Sequence, residues 1–184
     1  MRAAPPTVII LASGRGERFI ASGGAISKLK ALLAGKPVLE HTVAAVRASG
    51  LPWHLEDAGH AGMGDSIAAA VRATPQAGGW LILPGDLPLI QSSTLQAVAA
   101  AIEGGTVVLP QYQGERGHPV GFPAACRDAL LQLKGATGAA QVVRMQSTIK
   151  APAVLELDDP GIVTDIDTLD DLARAERLLA QGAS

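Results

Sequence analysis

An aliphatic run, Val8-Ile9-Ile10-Leu11, passes without a break into a loop of small and basic residues, Ala12-Ser13-Gly14-Arg15-Gly16-Glu17-Arg18. Four consecutive apolar residues in an extended segment need cover on both faces, which is the situation of a central strand in a parallel sheet. Gly14 and Gly16 let backbone N–H groups approach an anion closely and permit positive φ. Arg15, Arg18 and, further along, Lys28 add positive charge beside those amides. The segment therefore predicts a cradle for a triphosphate at the carboxyl end of the first strand.

Strand-like and helix-like stretches alternate through the rest of the chain. Trp53–Glu56, Trp80–Leu83, Thr106–Leu109, Pro119–Phe122, Ala153–Leu157 and Ile162–Ile166 read as strands. Pro37 opens an amphipathic helix that stops near Ser49-Gly50, with proline at the start and glycine past the end. Asp65 or Ser66 caps a helix through Val71, and Ser92 or Ser93 caps one reaching Glu103. Residues 124–133 and 137–146 read as helical, and Leu169–Ala180 as a closing helix. This alternation predicts an α/β three-layer domain with a mostly parallel sheet, spanning residues 1–184 as one unit. In such sheets ligands lie outside the carboxyl ends of the strands.

Composition narrows the function classes. Hydrophobic residues make up 48% and charged residues 17% of the 184 positions, which is the balance of a globular chain. A net charge of −2 without a basic block argues against nucleic acid as a partner, and 3% aromatics leave few platforms for base stacking. The lone Cys126 makes neither a disulfide framework nor a zinc site and reads as a small buried hydrophobe. The first apolar run is too short for a leader or a membrane span, so the expectation is a cytoplasmic protein with no membrane partner.

Two known phosphate motifs are absent. The dinucleotide fingerprint needs a third glycine, but Arg18 and Phe19 follow Glu17; a P-loop needs a closing Gly-Lys-Ser/Thr. Asp86 stands just past the buried strand in Leu83-Pro84-Gly85-Asp86, where it serves either as a turn residue or as a functional carboxylate. Asp165 and Asp167 alternate in a strand and so face one side; Asp167 or Thr168 is also placed to cap the last helix. Carboxylates at separate strand ends beside a triphosphate loop suit Mg²⁺, which prefers a few carboxylates, waters and phosphate oxygens.

Taken in order, LASGRGERF, Lys28 within SKLKALLAGKPVLEH, GMGDS, GDLP, GHPVGF and TDIDTLDDL resemble the MobA-like nucleotidyltransferases, and within them the molybdenum-cofactor cytidylyltransferases. The resemblance covers nearly the whole chain. It implies a Rossmann-like nucleotidyltransferase fold and a Mg²⁺-dependent joining of CTP to molybdopterin cofactor, with release of pyrophosphate. By the same resemblance, Leu11, Ala12, Ser13, Gly14, Arg15, Gly16 and Arg18 form the triphosphate loop, and Lys28 is the lysine ahead of the Gly35-Lys36-Pro37 turn. Gly62 and Ser66 lie near the base, Asp86 and Asp167 are metal ligands, and Gly117-His118-Pro119 faces the acceptor. The same resemblance assigns catalysis to Arg18, Lys28 and Asp86: Arg18, Lys28, the loop amides and the Mg²⁺ that Asp86 ligates oppose the negative charge that grows at the α-phosphate and on the leaving group.

This chain departs from the family pattern in three places. Leu51–Ala61 is shorter than the usual passage, which implies a trimmed sheet edge beside the nucleoside. Phe19–Ser27 looks like an insertion and a mobile lid. Ser13 stands where relatives carry alanine or glycine, at a position tied to CTP or GTP choice. Guanylyl transfer, transfer to a sugar phosphate or another phosphomonoester, and a non-catalytic delivery protein serving a molybdoenzyme stay open as alternatives. A dinucleotide oxidoreductase is disfavoured by the missing third glycine.

Overall fold

A computed structural model describes residues 4–14 and 16–182. Arg15, part of the expected triphosphate loop, lies outside the described residues.

The main sheet has seven strands. These are β1 (Thr7–Leu11), β4 (Trp53–Glu56), β5 (Gly79–Pro84), β6 (Val108–Tyr112), β7 (Glu115–Arg116), β8 (Val120–Pro123) and β9 (Ala153–Glu156). Their order is β4-β1-β5-β8-β6-β7, with β9 also on β6. β1 pairs in parallel with β4 and β5, and β6 with β9, whereas β8 runs antiparallel between β5 and β6. Five of the seven strands thus share one direction, and the sheet is mostly parallel as the alternation implied. A small hairpin, β2 (Leu32–Leu33) and β3 (Lys36–Pro37), turns through Ala34 and Gly35, both at positive φ.

The period-two pleat sends alternate side chains of the central strands to opposite faces. Val8, Ile10, Leu81 and Leu83 meet Val46 of α2 (Val38–Ala48) and Leu95 and Val98 of α4 (Ser92–Ala101). Ile9, Trp80, Ile82 and Phe122 meet Ile67, Ala70 and Val71 of α3 (Met63–Ala73), Leu130 of α5 (Arg127–Leu131) and Val142 of α6 (Ala140–Ser147). Helices on both faces of the sheet give the three layers. A third, smaller core joins Phe19 of α1 (Glu17–Ala21), Leu29, Leu33, Val38, Ile166 and Ala175 of α7 (Leu169–Gly182). It sits under the polar ends of β1 and β5 and ties the glycine loop to the C-terminal helix.

Several expectations are corrected. Ile162–Ile166 is not a strand: Pro160–Val163 forms a 3-10 turn, and the residues after it run on without a sheet partner. Asp165 and Asp167 therefore do not alternate along a strand. Asp65 and Ser66 lie inside α3, whose N-cap is Gly62, and α4 is preceded by Gln91 rather than capped by a serine side chain. The stretch 124–133 divides into a 3-10 turn, Ala124–Cys126, and α5. The short passage 51–61 still supplies β4, the strand that ends the sheet beside β1. Phe19, at the start of the expected lid, is 1% exposed, so that segment is anchored at its root.

Candidate active site

Three chain segments converge on one acidic pocket. β5 ends at Pro84, and Gly85 donates its N–H to the Leu11 carbonyl while accepting the Thr42 hydroxyl, which fixes the turn next to the end of β1. The Asp86 carbonyl accepts from the Ile166 N–H, so the segment after the 3-10 turn is held against β5. The N-terminus of α7 is capped by Thr168 and Asp171: the Asp171 carboxylate accepts from the N–H groups of Asp167 and Thr168, and the Thr168 hydroxyl accepts from the Asp171 N–H. That reciprocal cap removes the competing role for Asp167, whose carboxylate is left to face the pocket.

The resulting geometry is compact. Lys28 Nζ donates to Asp86 Oδ2 at 2.5 Å and to Asp167 Oδ1 at 2.8 Å. Arg18 Nη1 lies 2.7 Å from Asp167 Oδ2. Oxygen atoms of Asp86, Asp165 and Asp167 all lie within 4.8 Å of one another. Asp86 is 8% exposed, and its Oδ1 is buried without a hydrogen-bond partner among the described residues. Hard oxygen donors at this spacing, one of them buried and unsatisfied, fit a Mg²⁺-like cation.

Charge distribution follows from the packing. Burial alone would raise the Asp167 carboxyl, but the hydrogen bond and charge of Lys28, with Arg18, carry it below its ordinary value. Burial would lower the Lys28 ammonium, and the Asp86 and Asp167 carboxylates more than offset that, raising it. Burial raises the Asp165 carboxyl, and the neighbouring Asp167 and Asp86 charges push the same way.

Two cavities open on either side of Lys28. One of about 310 Å³ is lined by Gly14, Gly16, Glu17, Arg18, Phe19, Lys28 and Asp167. Gly16 sits at φ 63° ahead of α1, where other residues are strained, and a Cβ on Gly14 would meet nothing within 4 Å. The other cavity, about 830 Å³, runs from Leu11, Ser13 and Gly14 past Asp86 to Gly117 and His118. Its size is that of a small-ligand cleft. Gly62 and Ser66 line it, and the Ser13 and Ser66 hydroxyls are hydrogen-bonded at 3.0 Å. A Cβ on Gly62 would lie 2.1 Å from the Gly135 carbonyl oxygen, so glycine here lets the residue 134–137 loop close over the start of α3.

Gly117-His118-Pro119 approaches the far side of the larger cleft. The Gly117 N–H donates to the Pro110 carbonyl and the His118 N–H to the Ile162 carbonyl. Burial holds the His118 imidazole below its ordinary value of 6.5, with the Asp86 charge opposing. A histidine lowered in the fold contributes stability that is fully present above the unfolded value and drains away as pH falls through it. His118 ring signals are therefore expected to titrate with a midpoint below 6.5 by NMR; a midpoint above that value would contradict the burial argument.

The expected site residues Leu11, Ser13, Gly14, Gly16, Arg18, Lys28, Gly62, Ser66, Asp86, Gly117, His118 and Asp167 all line one or both cavities. Ala12 lies behind them, its N–H bonded to the Glu56 carbonyl, and Pro119 is buried. Asp165, read in the sequence only for its strand register, completes the acidic group. Other residues join the site without having been singled out. Arg116 and Arg144 line the larger cleft. Buried Glu56 accepts from His54 Nε2 at 3.3 Å and His60 Nε2 at 3.0 Å, and His60 reaches the same cleft. The strand reading of Trp53–Glu56 already puts His54 and Glu56 on one face; the loop conformation that returns His60 to the same carboxylate was not visible in sequence.

The family model of the MobA-like NTP transferase domain matches residues 44–151, more than half of the 184-residue chain. The chain belongs to that family. Asp86 and Gly117-His118-Pro119 fall within the match, whereas the glycine loop, Lys28, Asp165 and Asp167 lie outside it. The bifunctional protein GlmU of Stenotrophomonas maltophilia is 32% identical over 149 residues, covering 68% of this chain and 31% of that protein. The chain thus spans about a third of the length of the curated relatives it matches. Among solved structures, a nucleotidyl transferase from Methanothermobacter thermautotroptrophicus superposes with a TM-score of 0.82 at 20% identity, over 97% of this chain and 99% of that one. Rv0371c from Mycobacterium tuberculosis superposes with a TM-score of 0.74 at 23% identity, over 96% and 100%, and has also been solved in complex with manganese. At these identities the likeness is one of fold. Among the described residues, no helix is long and apolar enough to cross a membrane.

Proposed function

We propose that this MobA-like domain is a Mg²⁺-dependent nucleotidyltransferase that transfers CMP from CTP to molybdopterin cofactor and releases pyrophosphate. The observation that carries the reading is the joining of Lys28, Arg18, Asp86, Asp165 and Asp167 at the mouth of a glycine loop, with a second, larger cleft alongside. The triphosphate occupies the smaller cavity beside Gly14 and Gly16. The nucleoside and the acceptor divide the larger cleft, the nucleoside near Ser13, Gly62 and Ser66 and the acceptor near Gly117, His118 and Pro119. Arg116 and Arg144 on the cleft wall give a phosphate-bearing acceptor two cations.

An oxygen of the acceptor phosphate attacks the α-phosphorus and forms a new P–O bond. The bond from the α-phosphorus to the oxygen bridging to the β-phosphorus breaks, and its electron pair leaves with pyrophosphate. The acceptor phosphate is already an anion, so no general base is required, and neutral His118 serves as a substrate contact. Lys28, Arg18 and the loop amides oppose the charge that grows on the α-phosphate oxygens and the leaving group. A divalent ion held by Asp86, Asp165 and Asp167 would supply Lewis-acid polarisation of phosphate oxygens. The preference for CTP and for molybdopterin rests on the motif series, and the manganese bound to Rv0371c supports a metal in this fold.

Pyrophosphate release is the test, measured for CTP, GTP, UTP and ATP with Mg²⁺ and either molybdopterin cofactor or a sugar phosphate. CTP with molybdopterin is expected to be fastest. GTP ahead of CTP would make the domain a guanylyltransferase, and a sugar phosphate ahead of molybdopterin would replace the acceptor. Nucleotide binding without release in any combination would favour a delivery protein.

A further inference from the structure

We propose that Lys28 is a resident cation at the metal position, which a triphosphate must draw away before a divalent ion binds, so that metal and nucleotide are taken up interdependently. The inference deepens the nucleotidyltransferase reading and rests on it. Lys28 Nζ bonds both Asp86, at 2.5 Å, and Asp167, at 2.8 Å, within an acidic group whose third member is Asp165. Arg18 takes the remaining oxygen of Asp167. Two cations thus face three carboxylates, and an incoming divalent ion meets a pocket already largely neutralised. The occupancy is imperfect, because Asp86 Oδ1 stays buried and without a partner among the described residues, the atom a metal would satisfy and the Lys28 ammonium does not.

Lys28 also borders both cavities, so its ammonium reaches the triphosphate space by side-chain rotation while buried Leu29 keeps the 3-10 turn of Lys28–Lys30 in place. Phosphate oxygens then replace the carboxylates as its partners, and the carboxylates are released to the ion. Reciprocity follows: the factor by which nucleotide tightens metal equals the factor by which metal tightens nucleotide.

Mn²⁺ binding, followed by electron paramagnetic resonance of free Mn²⁺, tests this without turnover. Wild type is measured with and without α,β-methylene CTP, beside Lys28→Met and Lys28→Gln. The analogue is expected to tighten Mn²⁺ on wild type by about tenfold or more, the ordinary range of coupling between sites. Lys28→Met is expected to tighten Mn²⁺ in the nucleotide-free protein by a similar factor and to shrink the coupling to the part that direct phosphate ligation of the ion supplies. Lys28→Gln should do the same more weakly, and Mn²⁺ should raise the melting temperature of both variants more than that of wild type. Unchanged or weaker nucleotide-free Mn²⁺ binding in both variants overturns the inference while leaving the nucleotidyltransferase reading intact. Wild type that takes up no Mn²⁺ even with the analogue overturns both.

Discussion

Asp86→Asn is expected to lower kcat/KM by about a thousandfold or more while the protein stays folded. Asn keeps the shape of the side chain and one acceptor, so the turn after β5, held by Gly85 to Leu11 and by the Asp86 carbonyl to Ile166, is untouched. What is lost is the negative charge at a carboxylate whose Oδ1 is buried and has no partner among the described residues. Stabilisation of developing phosphate charge by a metal amounts to several kcal/mol, and each 1.36 kcal/mol is a factor of ten in rate. Lys28 retains Asp167 as a partner, so the ammonium is not stranded. Steady-state kinetics set beside a circular dichroism melt separate the two effects. An unaltered rate would remove Asp86 from the metal role.

The largest effect on stability is expected at Asp159, which lies away from the chemistry. It is 2% exposed. Its Oδ2 accepts from the Gln91 N–H at 3.0 Å and the Thr94 hydroxyl at 2.6 Å, and its Oδ1 from the Gly161 N–H at 2.8 Å. One carboxylate thereby closes the start of α4 and the start of the 160–163 turn. Asp159→Ala leaves three donors without a partner, two of them in buried hydrogen bonds and the Gln91 N–H in a half-buried one; hydrogen bonds to charged groups are worth about 1.5–3 kcal/mol each, and some of that loss is offset by no longer burying a charge. A net destabilisation of about 3 kcal/mol is expected, or roughly 6–12 °C in Tm for a chain of this size. The 160–163 turn also supplies the Ile162 carbonyl that accepts from His118 and leads directly to Asp165 and Asp167. KM is therefore expected to rise in the same variant. Urea unfolding measures the stability, and a loss below about 1 kcal/mol would show that water replaces the carboxylate.

How far the sequence could be read depended on where the stabilising contacts lie. β1 and β5 were legible because strands buried on both faces must be aliphatic throughout, and the glycine loop because it follows such a strand directly. Ile162–Ile166 misled: its apolar residues pack beneath the active site, and Pro160-Gly161 opens a 3-10 turn in place of a ladder. The start of α3 was misplaced because a tertiary contact sets it. The Gly64 N–H donates to the Gly135 carbonyl, and the Asp65 carboxylate accepts from the Gly135 N–H, which overrides local capping preference. Lys28, Asp86 and Asp167 were each visible as candidates from strand ends and motif order. That the lysine bridges the two aspartates was not, since the contact spans 139 residues of sequence between Lys28 and Asp167. Asp165 was read for its strand register, and its place in the acidic group depends on a coil conformation that periodicity does not encode.

The central claim is transfer of a nucleotidyl group to a phosphate acceptor. Its most direct measurement follows CTP labelled with ³²P at the α-phosphate, incubated with Mg²⁺ and molybdopterin cofactor. The account predicts that label moves onto the pterin in a new P–O–P linkage, with one pyrophosphate released per transfer, and that Asp86→Asn stops both. Label that stays with CTP, or that appears as CDP with inorganic phosphate, would contradict attack at the α-phosphorus.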